Sequence, residues 1–365
     1  MGVPKQRDLD KARTQMARWL SAKLGARDLA LSEIDAPAIT GFSNETLLFD
    51  ASWSEGGNPR RRGFAVRVKP GNYTIFLESA FEEQYRVLRA LSEHTDVPVP
   101  PTLWYEDDDS VLGSPFFVME RIRGRVPGDA PSYHVEGWVA DDTTPSEREA
   151  MWWSAVDAMA AIHGVDWRSL GLDGLWRAER GETGLTQQLA YYERYLEWAR
   201  KDWPEAALVD SALAWLKANV PPGPEPTALC WGDSRIGNVV FDGARAAAVL
   251  DWEMVALGDP QQDLAWFLFL DRHHSEGHGV PRLEGFPAHD ATVARWERLT
   301  GRRADRLAFY TVFAGFRFAV VMMRVIAMCI EFGLMPPDTD YGVNNIVTRL
   351  LADDLAGDLA GDLGA

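Results

Sequence analysis

Apolar residues follow one rhythm before Gly124 and another after it, and that switch limits the fold more than any other feature of the chain. Before it, strand patterns dominate. ITGFSNETLLFDASW is followed by the polar turn EGGNPRRR and then by FAVRVKP, which reads as a hairpin. DVPVPPTLWYEDDDSVLGSPFFVMERIRGRVP holds two more strands around an acidic turn at 106–109. A single helix interrupts them. Phe81, Tyr85, Leu88 and Leu91 form its apolar stripe, and Ser79 with Glu82 has the spacing of a capping box. After Gly124 the period becomes helical, in AMWWSAVDAMAAIH (150–163), LTQQLAYYERYLEWARK (185–201) and SALAWLKANV (211–220). The expectation is an α+β chain. A helical extension over 1–35 carries Met16, Leu20 and Leu24 on one face. A small β-rich unit follows over 36–122, then a large, mainly helical unit over 123–350. The tail, 351–365, repeats DLAG with little apolar content and is expected to be disordered.

A chain of 365 residues with 46% hydrophobic residues and 15 tryptophans can bury the core that two such units need. Cys230 and Cys329 lie far apart and match no metal or disulfide spacing, which fits a reducing compartment and a cytoplasmic location. The opening MGVPKQRDLDKARTQMARWL lacks the apolar core of a secretion signal, and its MG lacks the hydroxyl residue that a myristoylation motif wants. LAFYTVFAGFRFAVVMMRVIAMCI (307–330) is long enough to span a bilayer, but Arg317 and Arg324 interrupt it. It reads as a helix buried in protein, so no membrane partner is expected. The net charge of −17 argues against a nucleic-acid partner, because neutralising phosphates requires Lys and Arg. A cationic or neutral small molecule is accommodated more easily. The oligomeric state stays open.

The chemistry concentrates in CWGDSRIGNVVF, residues 230–241. VVFDGARAAAVLD returns as a hairpin with its turn at Asp242-Gly243, so Asn238 and Asp251 are expected to face each other with Asp233 on the adjoining loop. A carboxylate and a carboxamide oxygen are hard ligands suited to Mg2+, which takes its remaining ligands from water and substrate phosphates. A second carboxylate can accept a proton from an attacking hydroxyl, and a guanidinium can hold a phosphoryl oxygen. Protein kinases use a catalytic-loop Asp, an Asn five residues later and a metal-binding Asp on a following strand end. Asp233, Asn238 and Asp251 match that order and spacing, with Arg235 where kinases carry a catalytic-loop Lys.

WGDSRIGNVVF followed by AVLDWEMVALGDPQQDLAWF resembles the catalytic block of the aminoglycoside phosphotransferase superfamily, ATP-dependent small-molecule kinases related to choline kinases. GFSNETLLF resembles its nucleotide loop, and MAAIHGVDW a recurrent helix end; the likeness runs from about 36 to 350. The resemblance implies a protein-kinase-like bilobal fold and transfer of the γ-phosphate of ATP to a small-molecule hydroxyl, with Mg2+. By position it makes Asp233 the catalytic Asp and gives Asn238 and Asp251 the metal. It lays Gly41, Ser43 and Asn44 over the phosphates and makes Met119 to Ile122 the hinge. Backbone groups of Glu120 and Ile122 then meet adenine. Asp263 resembles the family Asp that braces the catalytic loop.

Three departures stand out. Arg67 occupies the place of the phosphate-holding Lys, Gln84 that of its Glu partner, and Trp231 that of a common His. An Arg–Gln pair in place of Lys–Glu motivates a second reading, a protein that holds nucleotide without transferring phosphate. A third, metal-dependent hydrolysis, needs neither hinge nor nucleotide loop. Relatives phosphorylate aminoglycosides, macrolides, choline, hydroxy acids and sugar derivatives, so the acceptor stays open. Elsewhere Asp259 reads as a helix N-cap, with Pro260 at the first helical position and Gln262 at the capping-box site. His163 reads as a helix end, and His273, His274 and His278 as a surface loop rather than a metal site. Trp152, Trp153, Trp198 and Trp215 read as core.

Overall fold

A computed structural model of the chain describes residues 7–36, 44–71, 74–223 and 226–362, with side chains as far as 357. Helix α1 (Leu9–Leu24) comes first. Asp8 caps it by accepting the Lys11 N–H, and Gly25 ends it in the left-handed conformation. Strands β1 (Ala30–Leu31), β2 (Glu45–Glu55) and β3 (Asn58–Val68) follow, then α2 (Phe81–His94), β4 (Thr102–Glu106), the single turn α3 (Asp109–Leu112) and β5 (Phe116–Glu120). The strands form one antiparallel sheet in the order β1-β2-β3-β5-β4. Pairing in the β2–β3 hairpin runs without a break from Glu45↔Val68 to Glu55↔Asn58. Its turn is Gly56-Gly57, both at positive φ. Asn58 to Arg62, expected in the turn, are therefore strand: their polarity marks an exposed ladder end rather than a loop.

The pleat of β3 sorts its two faces. Phe64, Val66 and Val68 pack with Leu47, Phe49, Phe116 and Val118 against Met16 and Leu20 of α1. Ala65 and Arg67 project from the opposite face, where Ala65 joins Phe81, Leu88 and Leu91 of α2 in the central core. Helix α2 starts without the expected capping box. Ala80 occupies the cap position with no side-chain bond, and Glu82 instead pairs with Arg86 one turn on.

The remainder is mainly helical: α4 (Trp138–Asp141), α5 (Pro145–His163), α6 (Gly184–Ala199), α7 (Ala207–Ala218), α8 (Gln261–His274), α9 (His289–Thr300), α10 (Leu307–Glu331) and α11 (Ile346–Asp362). Between α7 and α8 lie short antiparallel pairs, β6 (Ala228–Cys230) with β9 (Ala256–Gly258) and β7 (Val239–Asp242) with β8 (Arg245–Val249). Helix α10, long and apolar enough to cross a bilayer, is mostly buried inside the protein. It packs with α6, α7, α8 and α11 in a second core. Arg324 leaves that core through Asp202 and the Trp198 ring, 4.0 Å away. The tail expected to be disordered continues as α11: its four-residue repeat is a helical period, and Leu351 and Leu355 are buried.

Candidate active site

Strand β6 leads into the loop 231–235, a single 3-10 turn over Ile236–Asn238 and then β7. Two glycines allow the loop its shape. Gly232 has φ +95°, and a Cβ there would lie 2.1 Å from the Met254 carbonyl oxygen; at Gly237 it would meet Arg235 Nη1 at 2.6 Å. Asp263, in the first turn of α8, holds the loop from behind. Its Oδ2 accepts the Trp231 N–H (2.6 Å), its Oδ1 the Gly232 N–H (2.9 Å), and its carbonyl the Ser234 hydroxyl (2.7 Å). His163 Nε2 lies 3.0 Å from Asp263 Oδ2, while His163 Nδ1 accepts the Trp296 indole N–H. An indole can only donate, so Nε2 carries the proton and the imidazole is neutral. His163 does end α5, as the pattern suggested, but its buried side chain braces Asp263 rather than capping the helix.

Asp233 is held on both oxygens. Oδ1 accepts the Trp266 indole N–H at 2.8 Å; Oδ2 accepts Asn238 Nδ2 at 2.7 Å and Arg235 Nε at 3.2 Å. Asn238 Nδ2 also donates to the Asp233 carbonyl, 3.0 Å away. With its nitrogen so engaged, the amide presents its oxygen elsewhere. Arg235 Nη1 meets Asp129 Oδ2 at 2.5 Å. Burial works against its charge, but the carboxylates of Asp233 and Asp129 outweigh it and raise the Arg235 pKa. Trp266 and Asp129 come from a helix and a loop far away in sequence, and no spacing near Asp233 announces them.

The β7–β8 register pairs Val239 with Val249, and Leu250 donates its N–H to the Asn238 carbonyl at 2.8 Å. Asn238 thus stands opposite Leu250, one residue short of the expected Asp251. The next residue turns: Asp251 has φ +60° and is the one non-glycine at positive φ among the described residues. Trp231 fixes this corner through its indole N–H to the Leu250 carbonyl (2.7 Å). Burial and the nearby Asp233 charge push the Asp251 carboxyl up, against the pull of Arg67, Arg235 and a Glu253 backbone N–H.

Gly41 and Ser43 lie outside the described residues. Asn44 is buried and gives its amide N–H to the Glu253 carboxylate. Arg67 also goes to Glu253, with Nη2 2.8 Å from Oε1; Nη2 lies 3.9 Å from Asp251 Oδ1, and Nη1 donates to Thr46 Oγ1 at 3.2 Å. Gln84 is buried on α2 but is not among these partners. The expected Arg67–Gln84 pair is replaced by Arg67–Glu253, because the carboxylate arrives from the loop two residues after Asp251 instead of from the small-unit helix. Met119 lines the central core at the end of β5. The Glu120 N–H is taken by the Pro101 carbonyl (2.9 Å), and that of Arg121 by Gly63 (3.0 Å). The Ile122 N–H enters no backbone hydrogen bond among the described residues. At this edge Ile122 can donate and Glu120 can offer only its carbonyl. Beside it all, Phe76, Glu78, Arg177, Tyr192, Glu253 and Met254 line a cavity of about 140 Å³. A larger one, about 540 Å³ between α8, α9 and α10, contains none of the expected residues.

Known proteins give this arrangement a context. A protein of Ralstonia eutropha assigned to the aminoglycoside phosphotransferases superposes with a TM-score of 0.67 at 24% identity, covering 94% of this chain and 98% of that one. Aminoglycoside phosphotransferase APH(4)-Ia, in a ternary complex with ADP and hygromycin B, superposes with a TM-score of 0.55 at 18% identity over 94% and 98% of the two chains. At these identities the likeness establishes the protein-kinase-like bilobal α+β fold. Among curated proteins, probable acyl-CoA dehydrogenase IBR3 of Arabidopsis thaliana is 30% identical over 78% of this chain and 35% of its own length. Acyl-CoA dehydrogenase family member 11 of Gallus gallus is 34% identical over 62% of this chain and 26% of its own length. The chain thus spans a quarter to about a third of the length of these relatives. The profile of the Phosphotransferase enzyme family matches residues 41–316, most of the chain, and to that family this protein belongs.

Proposed function

We propose that this phosphotransferase moves the γ-phosphoryl group of ATP to a hydroxyl of a small molecule, using Mg2+. The observation that carries the reading is the treatment of three side chains. Asp233 is oriented by donors on both oxygens, Asn238 keeps its amide oxygen unclaimed by Asp233, and Asp251 is left with its pKa raised beside them. A carboxamide oxygen and an under-neutralised carboxylate are the donor set that suits Mg2+, with Asn238 and Asp251 holding it. When bound, the cation offsets charge on the phosphate oxygens.

The chain's own residues supply the rest. Asp233 Oδ1, with a single protein donor, is the atom that accepts the substrate hydroxyl proton. Arg235 is committed to two carboxylates, so it holds and aims Asp233 more than it clamps phosphate. The unpaired Ile122 N–H and the Glu120 carbonyl face adenine, with residues 36–122 as the nucleotide unit and 123–350 as the substrate unit. Gly41, Ser43 and Asn44 cover the phosphates. The nucleotide-holding reading without transfer was motivated by Arg67 and Gln84, and Glu253 now gives Arg67 an ion pair from another element. That observation favours turnover.

For the acceptor, the relatives named as acyl-CoA dehydrogenases favour a hydroxyl on an acyl chain over one on an aminoglycoside. ATP consumption measured against hydroxyacyl thioesters, aminoglycosides, choline and sugars, with Asp251→Ala as blank, tests both levels. Stimulation by one class is expected, and Asp233→Asn should slow it about 10²- to 10⁴-fold. Slow hydrolysis that no alcohol accelerates would overturn phosphoryl transfer. Stimulation by aminoglycosides alone would overturn the acyl-chain assignment.

A further inference from the structure

Three histidines stand apart from the residues assigned to catalysis. His273 and His274 close α8, and His278 ends the 3-10 turn Glu276–His278 that follows. They are not the surface loop that their Ser- and Gly-rich context suggested. His274 is only 5% exposed, His273 is half-buried, and His278 alone faces solvent. One ring nitrogen from each lies within 4.8 Å of those of the other two. The Nδ1 atoms of both His273 and His274 are buried without a hydrogen-bond partner among the described residues. Such buried nitrogens are unfavourable unless something occupies their lone pairs.

Their surroundings fit a cation ligand. The edge-on Phe318 ring, 5.1 Å from His273, and Tyr133, 5.0 Å from His274, fix the two buried rings. Asp129 Oδ1 stands 3.4 Å from His274 Nε2 and supplies negative charge against Arg235.

From this clustering we propose that His273, His274 and His278 form a binding site for a borderline transition-metal cation of the Zn2+ type, separate from the oxygen-donor Mg2+ site. Imidazole nitrogens bind Zn2+ at about 2.0–2.1 Å, which requires the three nitrogens to stand about 3.4 Å apart. The contraction falls on His278, whose exposed ring sits in a short turn ended by Gly279 at φ +69°. Three protein ligands leave a fourth position for water. Asp129, whose other oxygen holds Arg235, links His274 to Asp233 through the Arg235 guanidinium. Ring packing alone accounts for the stacking of the histidines but leaves both Nδ1 atoms unused.

The test uses the full chain without an affinity tag. One equivalent of Co2+ should give the visible absorption of a low-symmetry nitrogen site, Zn2+ should displace it, and millimolar Mg2+ should not. His278→Ala, the solvent-facing member, should keep the wild-type melting temperature in the absence of metal and weaken Zn2+ binding at least about tenfold. The exposed His94→Ala should leave binding unchanged. Retention of less than one Zn2+ per chain after gel filtration would overturn the site. So would equal Zn2+ affinity in wild type, His278→Ala and His273→Ala.

Discussion

Asp271 and Asp251 are both acids of the helical half, and the protein surrounds them in opposite ways. Around Asp271, His134 Nε2 stands at 3.1 Å, His289 Nε2 at 2.8 Å, Arg282 Nε at 2.6 Å and the Tyr133 hydroxyl at 3.3 Å. Burial opposes its charge, yet these partners hold the Asp271 carboxyl well below the usual range. Asp251 receives burial and a neighbouring carboxylate, with one guanidinium at 3.9 Å, and its carboxyl rises. A carboxylate whose counter-charge comes from the chain itself ties structure together. One left short of counter-charge, as Asp251 is, is what the proposed Mg2+ would complete. Asp263 also ties structure together, but by hydrogen bonds alone: the neutral His163 and the Trp231 and Gly232 N–H groups satisfy its carboxylate.

Substitutions should separate the two kinds. The largest effect is expected from Asp251→Ala: phosphoryl transfer falls to the rate without enzyme, while the urea midpoint holds or rises because an under-neutralised, partly buried charge is gone. A loss of stability comparable to that of the next variant would break the contrast. Asp271→Asn should lower the unfolding free energy by about 3 kcal/mol, since Arg282 is left without its counter-charge. Denaturant unfolding measures this, and Mg-ATP affinity of the folded variant should hold. Trp266→Phe removes one donor from Asp233, and kcat should fall about tenfold with KM for ATP unchanged. The pH response is the mildest. Asp251 has a raised carboxyl, so protons compete with Mg2+ above the ordinary value of 3.8. Mg2+ affinity therefore weakens as pH falls through the raised value. Asp271 has a lowered carboxyl, so its stabilisation is present above 3.8 and is lost only as pH falls through the folded value. Mg2+ titrations and melting curves across that interval should diverge.

Short-range features were legible in the sequence. Asp233, Arg235 and Asn238 lie on one loop, the Asp242-Gly243 turn sets the register beyond it, and the helical stripes of α1, α5 and α6 have local periods. What the sequence hid arrives from afar. Trp266 and Asp129 orient Asp233 and Arg235 across separations of 33 and 106 residues, and Glu253 reaches Arg67 across 186. His163 reads as a helix end by position and becomes a brace only once α8 packs beside it. The Asn58–Arg62 strand and the α11 helix were obscured for a different reason: polar composition conceals a period when one face is solvated. Gln84 shows the limit of transferring a family pattern by position, since the acidic partner of Arg67 moved to another element.

The central claim is that Asp251 and Asn238 bind Mg2+ with the nucleotide while Asp233 only handles the proton. Calorimetric titration of ATP, with and without Mg2+, into wild type, Asp233→Asn and Asp251→Asn tests it directly. The account predicts Mg2+-enhanced binding that survives in Asp233→Asn and disappears in Asp251→Asn. Equal Mg2+ enhancement in wild type and Asp251→Asn would contradict it.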